Sequence, residues 1–248
     1  MKLKLLLIIL LSTSIYAKTI KIAVAANVSY AIEELKKEFN TLYPDIKVQI
    51  ILGGTGKLFA QIQHNAPYDI LLSANMLYPQ KLYEKGQAVT RPLVYAQGSL
   101  VYLSSKKHEF SKGIELVLDD NIKKIAIANP KLAPYGIATV EALKNAKLYE
   151  KITSKFVYGD SISQTVTYAI KATDLGFIAK SALYTPQMAH LKKGENWSDI
   201  DPKFYTPIDQ GIVLLKHGEN SAEASAFYTF IFSKKAENIF KKFGYLIP

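Results

Sequence analysis

The sequence predicts an α/β protein folded as two lobes with a ligand cleft between them. Three observations carry that expectation. Runs of strand length alternate with segments of helical spacing from Thr19 to Ile178. The 248 residues exceed the common size of one compact domain. No repeat, low-complexity stretch or flexible linker divides them, so two α/β units must share a chain that crosses between them more than once.

The elements follow in order. Thr19 to Val24 (TIKIAV) alternates as a strand and leads through Ala25-Ala26-Asn27 into a helix with Ala31, Ile32, Leu35, Phe39 and Leu42 on one face. Pro44 closes that helix. Ile46, Val48, Ile50 and Leu52 alternate as a second strand, which ends in Gly53-Gly54-Thr55-Gly56 before a helical segment from Lys57 to about His64. Asp69 to Leu72 (DILL) has the composition of a short buried strand. A second set repeats the alternation: strands at Ser99 to Leu103, Ile125 to Ala128, Lys155 to Val157 and Leu175 to Ile178, with helices from about Gly136 to Ala146 and Ser163 to Lys171. One last helix, carrying Phe227, Phe230, Ile231, Ile239, Phe240 and Phe243, is expected to pack back on the first lobe. The predicted division is residues 18–96 plus 209–248 for one lobe and 97–208 for the other.

Residues 1–17, MKLKLLLIILLSTSIYA, combine two lysines, an apolar run from Leu5 to Leu11 and a small residue at Ala17, the pattern of a cleavable secretory signal. That run is too short to span a bilayer, which takes about 20 residues. Without cysteine, the chain has no disulfide, no thiol metal site and no lipid anchor on a processed cysteine. The net charge of +10 falls to +8 once Lys2 and Lys4 leave with the leader. The remaining lysines are scattered in pairs such as Lys36-Lys37 and Lys123-Lys124, a solvated surface rather than a nucleic-acid footprint.

Catalytic patterns fail. His64, His108, His190 and His217 stand far apart, with no HExxH spacing. The GGTGK stretch is no phosphate loop, because Ile51 stands where the first glycine belongs and Leu58 where Ser or Thr must follow Lys57. No GxSxG elbow exists, and neither Ser73 nor Asp69 has a histidine near it in sequence. The expected protein is therefore a binder and not an enzyme.

Four turns share one design, a strand that passes through a short polar or glycine-rich turn into a helix: Ala25-Ala26-Asn27, Gly53-Gly54-Thr55-Gly56, Ala133-Pro134-Tyr135-Gly136 and Gly159-Asp160-Ser161-Ile162-Ser163. A helix start leaves backbone N–H groups unpaired and carries positive partial charge, so it stabilises an anion without a cationic side chain. Each such turn is also an ordinary helix cap.

Several segments together resemble the molybdate-binding proteins of the periplasmic solute-binding superfamily: IAVAANVSYAIEELKKEF, GGTGKLFAQIQHNAPYDILLSAN, ANPKLAPYGIATVEAL, GDSISQTVTYAIKATDLGFIAKSAL and AENIFKKFGYLIP, in that order over nearly the whole length after the leader. The resemblance implies a type II periplasmic binding fold with the ligand cleft between the lobes. It also implies a monomer in the periplasm that binds molybdate or tungstate, uses no cofactor and passes its cargo to an ABC permease in the inner membrane. It further implies a site of neutral donors: Asn27, whose side-chain amide donor stands in place of a usual serine hydroxyl, with Ala26 before it, the Thr55 hydroxyl, the Tyr135 backbone N–H and the Ile162 backbone N–H. A tyrosine common in the family is missing from Leu175-Gly176-Phe177-Ile178-Ala179, and Tyr135 is expected to supply the lost phenol from another loop. Sulfate and ferric iron, bound elsewhere in the superfamily, stay open as ligands.

Overall fold

The computed structural model describes residues 18–248; the expected leader lies outside them. Strands β1 (Lys18–Ala25), β2 (Ile46–Gly53), β3 (Ile70–Leu72), β4 (Leu93–Gly98) and β10 (Ile208–Leu214) form one sheet in the order β2-β1-β3-β10-β4. Strands β5 (Leu100–Leu103), β6 (Ile125–Ala128), β7 (Phe156–Gly159), β8 (Leu175–Ala179) and β9 (Trp197–Asp199) form another in the order β7-β6-β8-β5-β9. Three strands run parallel in each, β2-β1-β3 and β7-β6-β8. The next strand, β10 or β5, runs antiparallel to its neighbours on both sides. The chain passes between sheets at Gly98-Ser99 and again between β9 and β10.

Helices α1 (Ile32–Leu42), α2 (Thr55–Gln63), α3 (Leu77–Glu84), α7 (Ala222–Phe230) and α8 (Lys234–Lys242) serve the first sheet, and α4 (Pro134–Asn145), α5 (Tyr149–Ile152) and α6 (Ile162–Lys171) the second. Parallel strands require such crossover helices, and these bury both sheet faces. The β1 residues Ile20, Ile22 and Val24 pack with Phe39, Phe227, Phe230 and Phe240 on one face, while Ala23 packs with Leu58, Leu71 and Leu82 on the other. In the second lobe Ile125, Ile127, Leu175 and Phe177 share a core with Leu143 and Ile152, and Ala126 and Ile178 face Val166 and Ala169.

Several boundaries differ from expectation. α2 begins at Thr55, two residues early, because the glycine turn ends at Gly54. α4 begins at Pro134, whose fixed φ and missing N–H suit a first helical position. The expected last helix is two: α7 ends at Phe230, and Ser233 starts α8 by accepting a hydrogen bond from the Ala236 N–H. Strands β4, β9 and β10 and helix α3 were not anticipated. Asp209 and Gln210 interrupt the apolar run of β10, and its register with β4 shifts between Gln210 and Gly211.

Candidate anion site

The β1 strand ends at Ala25 and turns at once into a short 3-10 helix, Ala26–Tyr30. Asn27, its second residue, is fully buried, with its Nδ2 and its carbonyl both bonded within the protein. Its Nδ2 donates to Gln210 Oε1 at 2.8 Å and to the Tyr245 hydroxyl at 2.9 Å. Its carbonyl accepts from the Tyr245 hydroxyl at 2.8 Å and the Ser181 hydroxyl at 3.0 Å. Gln210 Nε2 donates to the Ile208 carbonyl at 2.7 Å, which fixes its Oε1 as the acceptor facing Asn27. Both Nδ2 hydrogens are therefore used within the protein. This corrects the expectation that the Asn27 side chain donates to a ligand: the side chain is a strut, and what it leaves for a ligand is the backbone N–H.

Thr55 opens α2 after Gly54 and is buried. Its Oγ1 accepts from the Ala74 N–H at 3.2 Å, which leaves the hydroxyl hydrogen to donate elsewhere. Tyr135 is the second residue of α4, after a proline that has no N–H, and Ile162 is the first residue of α6. Both are buried. The backbone N–H groups of Asn27, Thr55, Tyr135 and Ile162 find no protein acceptor among the described residues. Buried, unpaired N–H groups are uncommon, and four at the starts of four helical segments form a donor set suited to an anion.

The fold brings these segments together across the lobes. Ala26 and Ala74 of the first lobe share one buried cluster with Ala133, Tyr135 and Ile162 of the second. The Gly56 N–H donates to the Leu132 carbonyl at 3.0 Å, and the Ser163 hydroxyl to the Ala26 carbonyl at 2.8 Å. A side chain at Gly54 would start 2.9 Å from the Asp160 carbonyl oxygen, so glycine is what allows the turn to meet the opposite lobe. The Tyr135 hydroxyl is lodged at the crossing of the lobes, where a methyl on Gly98 would lie 2.1 Å from it and 3.1 Å from Gln210 Nε2.

The electrostatics are those of a neutral, desolvated site. Among the described residues no lysine, arginine or histidine is buried. Burial raises the Tyr135 phenol well above its usual pKa, and Tyr245, Tyr95 and Tyr205 raise it further. The adjacent Asn27 amide tempers that shift without a bond of ordinary geometry, and Asn27 Oδ1 remains a buried acceptor with no partner among the described residues. Burial likewise raises Tyr95 and Tyr245, so all three phenols stay protonated at neutral pH.

Gln210, Tyr245 and Ser181 had no part in the sequence-based expectation, and Ser163 entered it only as the end of the fourth turn and the start of the helix after it. The one signal for Gln210 was an amide inside an apolar run; for Tyr245 and Ser181 no local signal exists. Asp69 does have a histidine, His217, with Nδ1 2.6 Å from its Oδ1. It forms no triad, because the Ser73 hydroxyl donates to the Asn75 carbonyl at 2.7 Å instead. The other Asp69 oxygen accepts from the Lys21 N–H at 2.6 Å, so this pair braces the end of the sheet away from the cleft.

Comparison with known proteins agrees with this architecture. The family described as bacterial extracellular solute-binding protein matches residues 20–246. A molybdate-binding protein ModA from Azotobacter vinelandii is 33% identical over 238 residues, covering 95% of this chain and 93% of that protein. The ModA of Rhodobacter capsulatus is 35% identical over 230 residues, with coverage of 90% and 86%. The solved Azotobacter vinelandii periplasmic molybdate-binding protein superposes with a TM-score of 0.86 at 30% identity, over 92% of this chain and 99% of that one. By strand order, paired lobes and sequence alike, the chain belongs to the bacterial extracellular solute-binding proteins, among the ModA-like molybdate-binding proteins.

Proposed function

We propose that this protein captures molybdate, or tungstate, in the periplasm after removal of its leader and delivers it as a monomer to an ABC permease. The observation that carries the reading is the set of four buried, unpaired N–H groups at Asn27, Thr55, Tyr135 and Ile162, with the free Thr55 hydroxyl beside them. A charge-assisted hydrogen bond contributes about 1.5 to 3 kcal/mol. Five converging donors support micromolar binding, about −8 kcal/mol, after the losses of ordering and desolvation. Ala26 shapes the wall between the first two donors, and the Tyr135 phenol adds a neutral donor at the crossing of the lobes. The lobes, 18–96 plus 209–248 and 97–208, part to admit the anion and close over it. Binding without chemistry is what such a site offers, since no ionised group stands ready to move a proton.

Calorimetric titration of the protein lacking residues 1–17 with molybdate, tungstate, sulfate and ferric citrate tests this. Tight binding of molybdate or tungstate in preference to sulfate is expected. Tight binding of sulfate or iron alone would replace the ligand, and heat from none of the four would remove the function.

A further inference from the structure

Two serine hydroxyls of the second lobe bond to backbone carbonyls of the first, and neither donates to a side chain in doing so. Ser163, the second residue of α6, donates to the Ala26 carbonyl at 2.8 Å. Ser181, just after β8, donates to the Asn27 carbonyl at 3.0 Å. The peptides concerned are trans, so each carbonyl points opposite to the N–H of the next residue. A bond to the Ala26 carbonyl therefore helps set the direction of the Asn27 N–H, and a bond to the Asn27 carbonyl fastens the next peptide of the same short helix. A hydrogen bond accepted by a peptide carbonyl also polarises the N–H of the same unit, which strengthens its donation at the other end.

We infer that Ser163 and Ser181 are positioning residues that complete the anion site of the first lobe when the second lobe closes. The second lobe then does more than bring its own N–H groups at Tyr135 and Ile162: it orients and polarises donors it does not own. The Asn27 carbonyl has a second side-chain restraint from Tyr245, within the first lobe's own packing, whereas among the described residues Ser163 is the one side chain that donates to the Ala26 carbonyl. Ser163 accordingly carries the larger share. When the lobes part, both hydroxyls leave, the Asn27 N–H loses that added restraint and polarisation, and the anion is freed toward the membrane partner. Capture and release are thereby coupled through the backbone of one loop.

This inference rests on molybdate as the ligand, and the experiment separates the two. Molybdate affinity is measured by calorimetry, and release by chasing bound molybdate with excess tungstate, for the wild type, Ser163→Ala, Ser181→Ala, the double variant and Ser163→Thr. The double variant is expected to bind roughly tenfold more weakly or worse, with Ser163→Ala closer to it than Ser181→Ala. The loss should lie in faster release with association unchanged, since first contact precedes closure. Ser163→Thr, which keeps a hydroxyl, should recover most of it. The ligand-free melting temperature of the Ala variants should match the wild type, while the gain on adding molybdate shrinks. Wild-type release from the double variant, or a loss accompanied by an equal drop in ligand-free melting temperature, overturns the positioning role. Failure of the wild type to bind molybdate overturns the ligand assignment instead.

Discussion

The two lobes share one strand plan, three parallel strands followed by an antiparallel one, yet they would furnish the proposed site differently. The first lobe supplies residues already braced from within: Asn27 by Gln210 and Tyr245, Thr55 by the Ala74 N–H. The second supplies bare backbone at Tyr135 and Ile162, plus hydroxyls that reach across. A braced half can hold an anion on first encounter, and an added half decides how long it stays. The division fits a receptor that must both bind and let go.

The largest way to break that contrast is to spoil the braced half. Asn27→Asp replaces an amide whose two hydrogens are both committed by a carboxylate inside the proposed anion site. Like charges in such surroundings repel strongly, and molybdate binding is expected to vanish from calorimetry at neutral pH. Retained binding would mean that the anion sits elsewhere. Gly98→Ala attacks the crossing, since the new methyl would meet the Tyr135 hydroxyl. Overpacking of this kind costs about 1 to 3 kcal/mol, so affinity should fall roughly 5- to 150-fold, with release accelerated most. An unchanged release rate would show that Tyr135 can move aside freely. Tyr135→Phe is milder: loss of one neutral donor predicts binding about fivefold weaker, and binding equal to wild type would remove the phenol from the donor set.

The smallest effect concerns pH. With Tyr95, Tyr135 and Tyr245 all raised above the usual phenol value, the site keeps its protons and binding should be flat from about pH 6 to 9. The folded state holds those protons more tightly than the unfolded chain, so the stability they contribute is complete below about pH 10 and is lost as pH rises beyond it. Melting temperature should therefore decline above about pH 10, and less steeply in Tyr95→Phe. An equally steep decline in that variant would assign the alkaline transition to other groups.

Much of the first lobe could be read from the sequence because its elements are long and periodic: β1, α1 and β2 fell within a residue or two of their observed ends. The four donor-bearing turns were visible because strand-turn-helix is a local pattern, and Thr55, Tyr135 and Ile162 stand at the helix starts where such turns place them. The braces were not visible. Gln210, Tyr245 and Ser181 lie 183, 218 and 154 residues from Asn27, and only tertiary packing joins them. Strand β10 escaped notice for a related reason, since the polar Asp209 and Gln210 that disguise it include the brace itself. The role first given to the Asn27 amide was an error of the same kind: its type was plain in the sequence, and its commitments were not.

The scarcity of ionised groups in the interior has a consequence for how the protein responds to salt. Its surplus positive charge is spread over lysines at the surface, where mobile ions screen it within about 8 to 10 Å. Dipoles in the closed interior are beyond the reach of that screening. Raising ionic strength should thus slow the arrival of a dianion while leaving its residence time alone. Encounter is governed by the exterior field and retention by the interior amides, so a cell in brackish surroundings would lose speed of uptake before it lost grip.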